Sequence, residues 1–423
     1  MTAAICVFAA LVILFVSQSA RFSHAYVSGP IAFLVAGGVV GATLVDAQAE
    51  RSAIQTLAEV TLVLVLFHDA AELQPRELRA DSAFTGRLLL VGLPLTIGAG
   101  FLLARALFPE IGVWLALFLA AALAPTDAGL GAATVLNPVV PARVRRILNV
   151  ESGLNDGLAT PVVLFAVAAA AASADDTAGH GLVSAVLELL VGAAAGVGVG
   201  FLAGRLVERA RDRGWADRAL LPIATLAVPL LAYYGAHALG GNGFIAAFVA
   251  GTAYAASQST VVEVHETVGL TGLTSTFLSY AVWMVFGVIA VADLGRLFTW
   301  QNVVFAVLSL TVLRMVPVAL SLLGSGLRLH TVGFIGWFGP RGLASVIFGL
   351  IALESLDDDP AVATALGVIT TTVVLSVIAH GVTASLWAER YGAWAARTRP
   401  AIETTKTVEP LHRHGGSRRA ARH

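Results

Sequence analysis

The sequence predicts an all-α polytopic membrane protein of about thirteen transmembrane helices, arranged as two inverted six-helix repeats with two broken crossing helices. Three observations lead there. Of 423 residues, 57% are hydrophobic and 13% charged, with a mean hydropathy of +0.83, whereas a soluble domain carries about 25% charge. Apolar runs long enough to cross a ~30 Å hydrocarbon core recur along the whole chain. Two of them are interrupted by glycine and proline beside a charge, at matching places in the two halves. The net charge of −1, from 26 Lys+Arg and 27 Asp+Glu, argues against a nucleic-acid partner and against a disordered acidic activator. The single cysteine, Cys6, excludes an intrachain disulfide and a multi-cysteine metal centre.

The runs fall at about 3–20, 27–49, 52–72, 86–108, 111–136, 147–173, 182–207, 218–239, 242–257, 272–295, 301–325, 331–354 and 361–388. A leader-peptide reading of the first, suggested by Ser-Gln-Ser-Ala, lacks the preceding Lys or Arg it needs. Cytoplasmic loops retain Lys and Arg. With thirteen spans, one side receives Arg21, then Arg76, Arg79 and Arg87, then Arg143, Arg145 and Arg146, then Arg205, Arg209, Arg211, Arg213 and Arg218, then Arg328 and the C-terminal tail. The other receives little beyond Arg51, Arg105 and Arg296. This places the N-terminus outside and the C-terminus in the cytoplasm, across the cell membrane. Repeat one is expected over about 1–175, a linking helix over about 182–207 and repeat two over about 218–388, together a transmembrane domain of 1–390. The basic tail 391–423 has no apolar periodicity and is expected to be a short disordered anchor, with contact to anionic lipid headgroups as the alternative.

A charge near the middle of a spanning helix costs about 2.5–3.5 kcal/mol on insertion scales, so each one marks a functional candidate. Span five runs Pro125-Thr126-Asp127-Ala128-Gly129-Leu130-Gly131, in which Pro125 removes a backbone donor beside an acid. Span six opens Glu151-Ser152-Gly153-Leu154-Asn155-Asp156. Residues 152, 155 and 156 share one helical face, offering a hydroxyl, an amide and a carboxylate. Such oxygens suit a small hard cation, and a carboxylate taken out of water holds a proton more readily, so proton and cation compete for one group. The bland alternative is that Asp127 and Asp156 only cap or pair within the bundle. Span twelve supplies a counterpart in Gly339-Pro340-Arg341-Gly342, where Arg341 is expected to neutralise half-helix ends or a nearby acid such as Glu151.

These residues carry a resemblance. Pro125-Thr126-Asp127 followed by Glu151-Ser152-Gly-Leu-Asn155-Asp156 resembles the "TDP" and "ESxxND" motifs of monovalent cation:proton antiporters, the NhaP-like sodium/proton exchangers. The glycine-rich Gly240–Gly251 stretch, Val282-Trp-Met-Val-Phe-Gly-Val, Arg314 with Pro317, Gly339-Pro-Arg-Gly342 and His380-Gly-Val-Thr383 are similar to other parts of that family, in order from about residue 27 to 390. The resemblance implies the sodium/proton antiporter fold, a core domain moving against a dimerisation domain, and a homodimer. It implies Asp156 as the ion- and proton-binding carboxylate, with Asp127, Ser152 and Thr126 as further ligands of the transported monovalent cation. Asn155 takes the neighbouring position that is Asp in electrogenic relatives. Glu151 and Arg341 are implied to form a structural ion pair, joined by Arg314. Ala128 departs from the family's proline, and Val150 and Gly153 from its usual residues around Glu-Ser.

The implied activity is secondary transport, with Na+, or else K+ or Li+, exchanged for H+ by alternating access, one for one and electroneutral, without enzyme chemistry or a cofactor. A same-fold carrier of an organic anion is the alternative, disfavoured by the net acidic cluster. An intramembrane aspartyl hydrolase is more remote, since neither Gly-x-Gly-Asp nor His-Glu-x-x-His is present. His68 in span three is read as a polar helix end or a pH sensor. Asp175, Asp176, Glu354, Asp357, Asp358 and Asp359 are read as solvated turn residues, and His380 as a packing residue.

Overall fold

Apolar runs in lipid must satisfy every backbone group internally, and here they do so as helices. The computed structural model describes residues 2–19, 28–43, 51–72, 81–127, 129–130, 137–174, 178–259, 261–292, 294–356 and 360–404, and no strand occurs among them. In chain order the helices are α1 (Thr2–Ser17), α2 (Gly29–Thr43), α3 (Arg51–Glu72), α4 (Ser82–Leu107), α5 (Gly112–Ala122), α6 (Ala142–Ala174) and α7 (Ala178–Asp212). They continue as α8 (Leu221–Ala238), α9 (Gly243–Ser257), α10 (Val261–Ala292), α11 (Trp300–Ser321), α12 (Leu329–Trp337), α13 (Leu343–Ser355) and α14 (Pro360–Thr398). Eight of them (α3, α4, α6, α7, α8, α10, α11 and α14) contain stretches long and apolar enough to cross a membrane, and five more are shorter apolar helices.

Helices lie at each expected span. The fifth is described as helix only to Ala122, and the twelfth is two half-helices, α12 and α13. Several helices outrun the apolar runs that announced them: α10 starts at Val261 rather than about 272, and α6 at Ala142 rather than 147. Hydropathy marks the part of a helix that meets hydrocarbon, and hydrogen bonding carries the same helix on into polar sequence. The largest departure is at the C-terminus. Expected to be disordered from 391, the chain instead stays helical to Thr398 and then makes a turn over 401–404 in which Glu403 is buried. The expectations for Arg21, Arg76, Arg79, Ala128, Asp175, Asp176, Asp357, Asp358, Asp359 and the tail beyond 404 concern positions outside the described residues.

Packing sorts the helices into two groups. In one, α9 lies against α3, α7 and α8, and α10 lies against α2, α3 and α8; in the other, α4, α5, α6, α11, α12, α13 and α14 pack together. Helix α6 touches both, through α3 and α7, and so does α13, through α3 and α10. Small residues make the closest of these contacts. Gly192, Gly196, Gly200 and Gly204 form one stripe of α7 and face Asn242, Ala246, Ala250 and Tyr254 of α9, so closely that a methyl group on any of the four would meet the α9 segment. Such stripes let helix backbones approach where lipid offers no hydrophobic drive to associate.

Candidate functional site

The site is built where the two broken spans meet. After α5 ends at Ala122, the chain runs through Leu123–Asp127 without regular helix, and after α12 ends at Trp337 it runs through Phe338–Gly342 likewise. The breaks are joined directly: Asp127 N–H donates to Pro340 O at 2.8 Å. Gly342 has no room for a side chain, because a Cβ there would overlap the Asp127 carboxylate.

A helix that stops inside a protein leaves its last carbonyls without partners, and at and just beyond the end of α5 side chains from other elements meet four of the carbonyls. Ser345 Oγ donates to Ala122 O (2.6 Å), Arg341 Nη1 donates to Ala124 O (2.6 Å) and Pro125 O (3.1 Å), and Ser152 Oγ donates to Thr126 O. The guanidinium of Arg341, 0% exposed, thus sits at the negative end of the α5 half-helix. At the opposite polarity, Asp127 receives backbone N–H groups. Its Oδ1 accepts from Gly129 (2.7 Å) and Leu130 (3.3 Å), and its Oδ2 accepts from Leu343 (2.9 Å), the first residue of α13. One carboxylate therefore serves a turn of its own chain and the start of α13, where an anion at a helix N-terminus is favourable.

The end of α12 is closed by His380, whose Nε2 lies 2.9 Å from Trp337 O and whose Nδ1 lies 2.9 Å from Ser376 O and 3.3 Å from Ser376 Oγ. Ser376 Oγ in turn accepts from Arg341 N–H at 2.7 Å. His380 is a packing and capping group in this structure.

Helix α6 brings the second set of side chains to the break. Glu151, Ser152, Asn155 and Asp156 are all buried, and their spacing places 152, 155 and 156 on one face. Asn155 Nδ2 donates to Thr126 Oγ1 at 2.7 Å, while Asn155 Oδ1 is buried without a hydrogen-bond partner among the described residues. Ser152 and Asn155 thus grip Thr126 by its carbonyl and its hydroxyl. Asp156 lies one residue beyond Asn155 and one turn beyond Ser152, and Thr160 Oγ1 donates to its backbone carbonyl at 2.7 Å.

One expected partnership differs. Glu151 does not make its ion pair with Arg341: its two carboxylate oxygens are held by Arg314, Nη1 to Oε1 at 2.6 Å and Nη2 to Oε2 at 2.7 Å. Arg341 is instead held by the Ala124 and Pro125 carbonyls beyond α5. Arg341 still feels the Glu151 charge and is repelled by Arg314. The fork of an arginine meeting both oxygens of a carboxylate is the strongest such arrangement.

Several residues were not anticipated. Ser345 and Ser376 carry no charge and no motif, and only their positions opposite orphaned backbone groups reveal them. Glu59, in the apolar run of α3, was open to the same rule that singled out Asp127. Gln55 Nε2 donates to its Oε1 (2.6 Å) and Tyr233 O–H to its Oε2 (3.3 Å). His68 lies in the last turns of α3, at a polar helix end as read, but buried: its Nε2 is 3.6 Å from Glu72, which also lies 3.5 Å from His265 Nδ1. Asp81 is buried against Arg143 (3.0 Å) and Arg146.

The end of α5 joined to the break between half-helices α12 and α13, against an acid-bearing face and within a bundle of apolar helices, defines an integral membrane protein of the ion-antiporter fold. The same fold is found in the sodium proton antiporter MjNhaP1 from Methanocaldococcus jannaschii, with a TM-score of 0.74 at 17% identity, covering 92% of this chain and 99% of that one. A profile of the sodium/hydrogen exchanger transmembrane family matches residues 7–389, and the chain belongs to that family. Curated relatives include a Na+/H+ antiporter of Schizosaccharomyces pombe, 28% identical over 277 residues (62% of this chain, 58% of the relative). Another is Na+/H+ antiporter 2 of Zygosaccharomyces rouxii, 25% identical over 324 residues (71% and 39%). A third, the uncharacterized Na+/H+ exchanger YjcE of Escherichia coli, is 30% identical over 198 residues (46% and 36%). The matches thus span 36–58% of the length of these relatives.

Proposed function

We propose that this protein exchanges a monovalent cation for H+ across the cell membrane by alternating access, with the two competing for the carboxylate of Asp156. The observation that carries this reading is the meeting of Thr126, Ser152 and Asn155 at the paired breaks, with Asp156 buried one turn beyond Ser152 on the same helix. These groups offer carbonyl, hydroxyl, amide and carboxylate oxygens, which suit a hard cation and not an organic anion. Asp156 is the shared proton and cation site, and Ser152 and Thr126 are ligands. Asp127 belongs to the same cluster, and in this conformation its carboxylate also accepts the Gly129, Leu130 and Leu343 N–H groups, so a cation there shares it with the start of α13. Glu151 with Arg314, and Arg341 with the α5 carbonyls, hold the breaks in register.

Na+ is the cation the named relatives support, ahead of K+ and Li+. Because Asn155 leaves one ionisable group fewer than an Asp-Asp pair, exchange is one for one and electroneutral. The N-terminus faces outward, the basic loops and the C-terminus face the cytoplasm, and the working unit is a homodimer that serves pH homeostasis. The test is dequenching of a pH-gradient dye in inverted vesicles on adding NaCl, KCl or LiCl in turn. A cation response in the wild type that disappears in a folded Asp156→Asn variant is expected. Cation-driven proton movement retained in that variant removes Asp156 from its role, and a transport current that reverses with voltage in proteoliposomes contradicts electroneutrality.

A further inference from the structure

Helix α12 has nine residues, fewer than the roughly 12–15 an isolated helix needs to persist, and its partners along one side come from the end of α14. Trp394 stacks on His330 (ring centroids 4.8 Å apart), Tyr391 on Phe334 (4.1 Å) and Trp387 on Trp337 (5.3 Å), one contact per turn. His380 closes the last turn through Trp337 O. The first turn is closed by a segment from beyond α14. Arg399 takes a left-handed conformation (φ 42°) with its N–H on Ala395 O at 2.8 Å, and Pro400 follows. This is how a helix is stopped and its chain turned back.

The reversal brings Pro400–Thr404 onto two elements of the site. Ile402 O accepts from Arg143 Nη1, near the start of α6, and Arg143 also pairs with Asp81. Glu403 is 1% exposed, and its Oε1 accepts Arg328 N–H at 2.9 Å and Thr331 Oγ1 at 2.8 Å. Arg328, the residue ahead of α12, makes no side-chain cap of its own. The Glu403 carboxylate therefore supplies, from 75 residues away in sequence, the negative cap that the positive end of this half-helix lacks.

We propose that Pro400–Thr404 is a strap, and Glu403 a positioning residue, that holds half-helix α12 in place and with it the break carrying Arg341 against the α5 carbonyls. This rests on the transport reading above for its functional consequence. The strap lies beyond residues 7–389, the stretch matched by the family profile. Cutting it loosens the first turn of α12 and weakens cation binding more than it slows the transport cycle.

The experiment combines amide hydrogen exchange of the full-length protein in detergent with Na+ titrations in proteoliposomes. In Glu403→Ala, exchange across the first turn of α12 rises about five- to tenfold, the size expected for a lost N-cap, and the Na+ concentration for half-maximal exchange rises severalfold with maximal rate nearly kept. Glu403→Gln, which keeps an acceptor oxygen without the charge, lies between. A chain ended after Thr404 matches the wild type, and one ended after Arg399 matches Glu403→Ala. Wild-type protection of α12 in both Glu403→Ala and the Arg399-ended chain overturns the strap. Lost protection with an unchanged Na+ requirement overturns its link to the ion site. Should the wild type move no protons on addition of any cation, the transport reading falls, and the protection of α12 still decides the strap.

Discussion

Glu151 pairs with Arg314, and its charge also acts on the buried Arg341, which predicts an asymmetry between its loss and the loss of Arg314. In Glu151→Gln, Arg314 loses both of its charge-assisted bonds (2.6 and 2.7 Å), and Arg314 and Arg341 repel each other with no anion to offset them. Breaking a buried pair by removing one member costs about 3–5 kcal/mol, because the remaining charge is uncompensated, and here two charges are left. In Arg314→Met, by contrast, the Glu151 carboxylate still has Arg341 in its field, so the cost falls at or below the bottom of that range. The double variant removes the pair together and is less destabilised than the sum of the two, by about 2 kcal/mol, as expected for residues in contact. Chemical unfolding of the purified protein in mixed micelles, followed by tryptophan fluorescence, measures all three. A cost for Arg314→Met equal to or above that of Glu151→Gln, or strict additivity, refutes the reasoning.

Two further predictions concern the frame of the site. Asp127→Asn keeps one acceptor oxygen but turns an NH2 toward either Leu343 N–H or the Gly129 and Leu130 N–H groups, a loss of about 1.5–3 kcal/mol for a charged acceptor; an unchanged unfolding midpoint would show that the carboxylate is not capping. Gly200→Val puts a branched side chain where even a Cβ meets the Ala250 backbone, and overpacking of this kind costs about 1–3 kcal/mol. Gly198→Ala on the same helix meets no atom within 4 Å and is neutral or better, so equal thermal stability of the two variants would mean that the α7–α9 stripe is not the contact described.

Much of this protein is written in its order of residues. Apolar runs gave the helices, because lipid against water is a one-dimensional choice that each segment makes for itself. Pro125 and Pro340, each beside a charge, located the breaks, and the spacing of Ser152, Asn155 and Asp156 placed three oxygen-bearing side chains on one face, because helical periodicity is local. Partnership was another matter. Glu151 had two arginines within reach of reasoning, and Arg314 takes it only because Arg341 is held by the carbonyls of Ala124 and Pro125, backbone groups that no side-chain pattern announces. Glu403 sat in sequence that read as a solvated tail, since neither hydropathy nor periodicity reports a segment folded back to cap another helix. Local sequence determined which segments are helical, where they break and which groups line the break. The tertiary structure decided which charge answers which, because orphaned backbone groups and buried charges take whatever partner the packing of distant segments brings within about 3 Å.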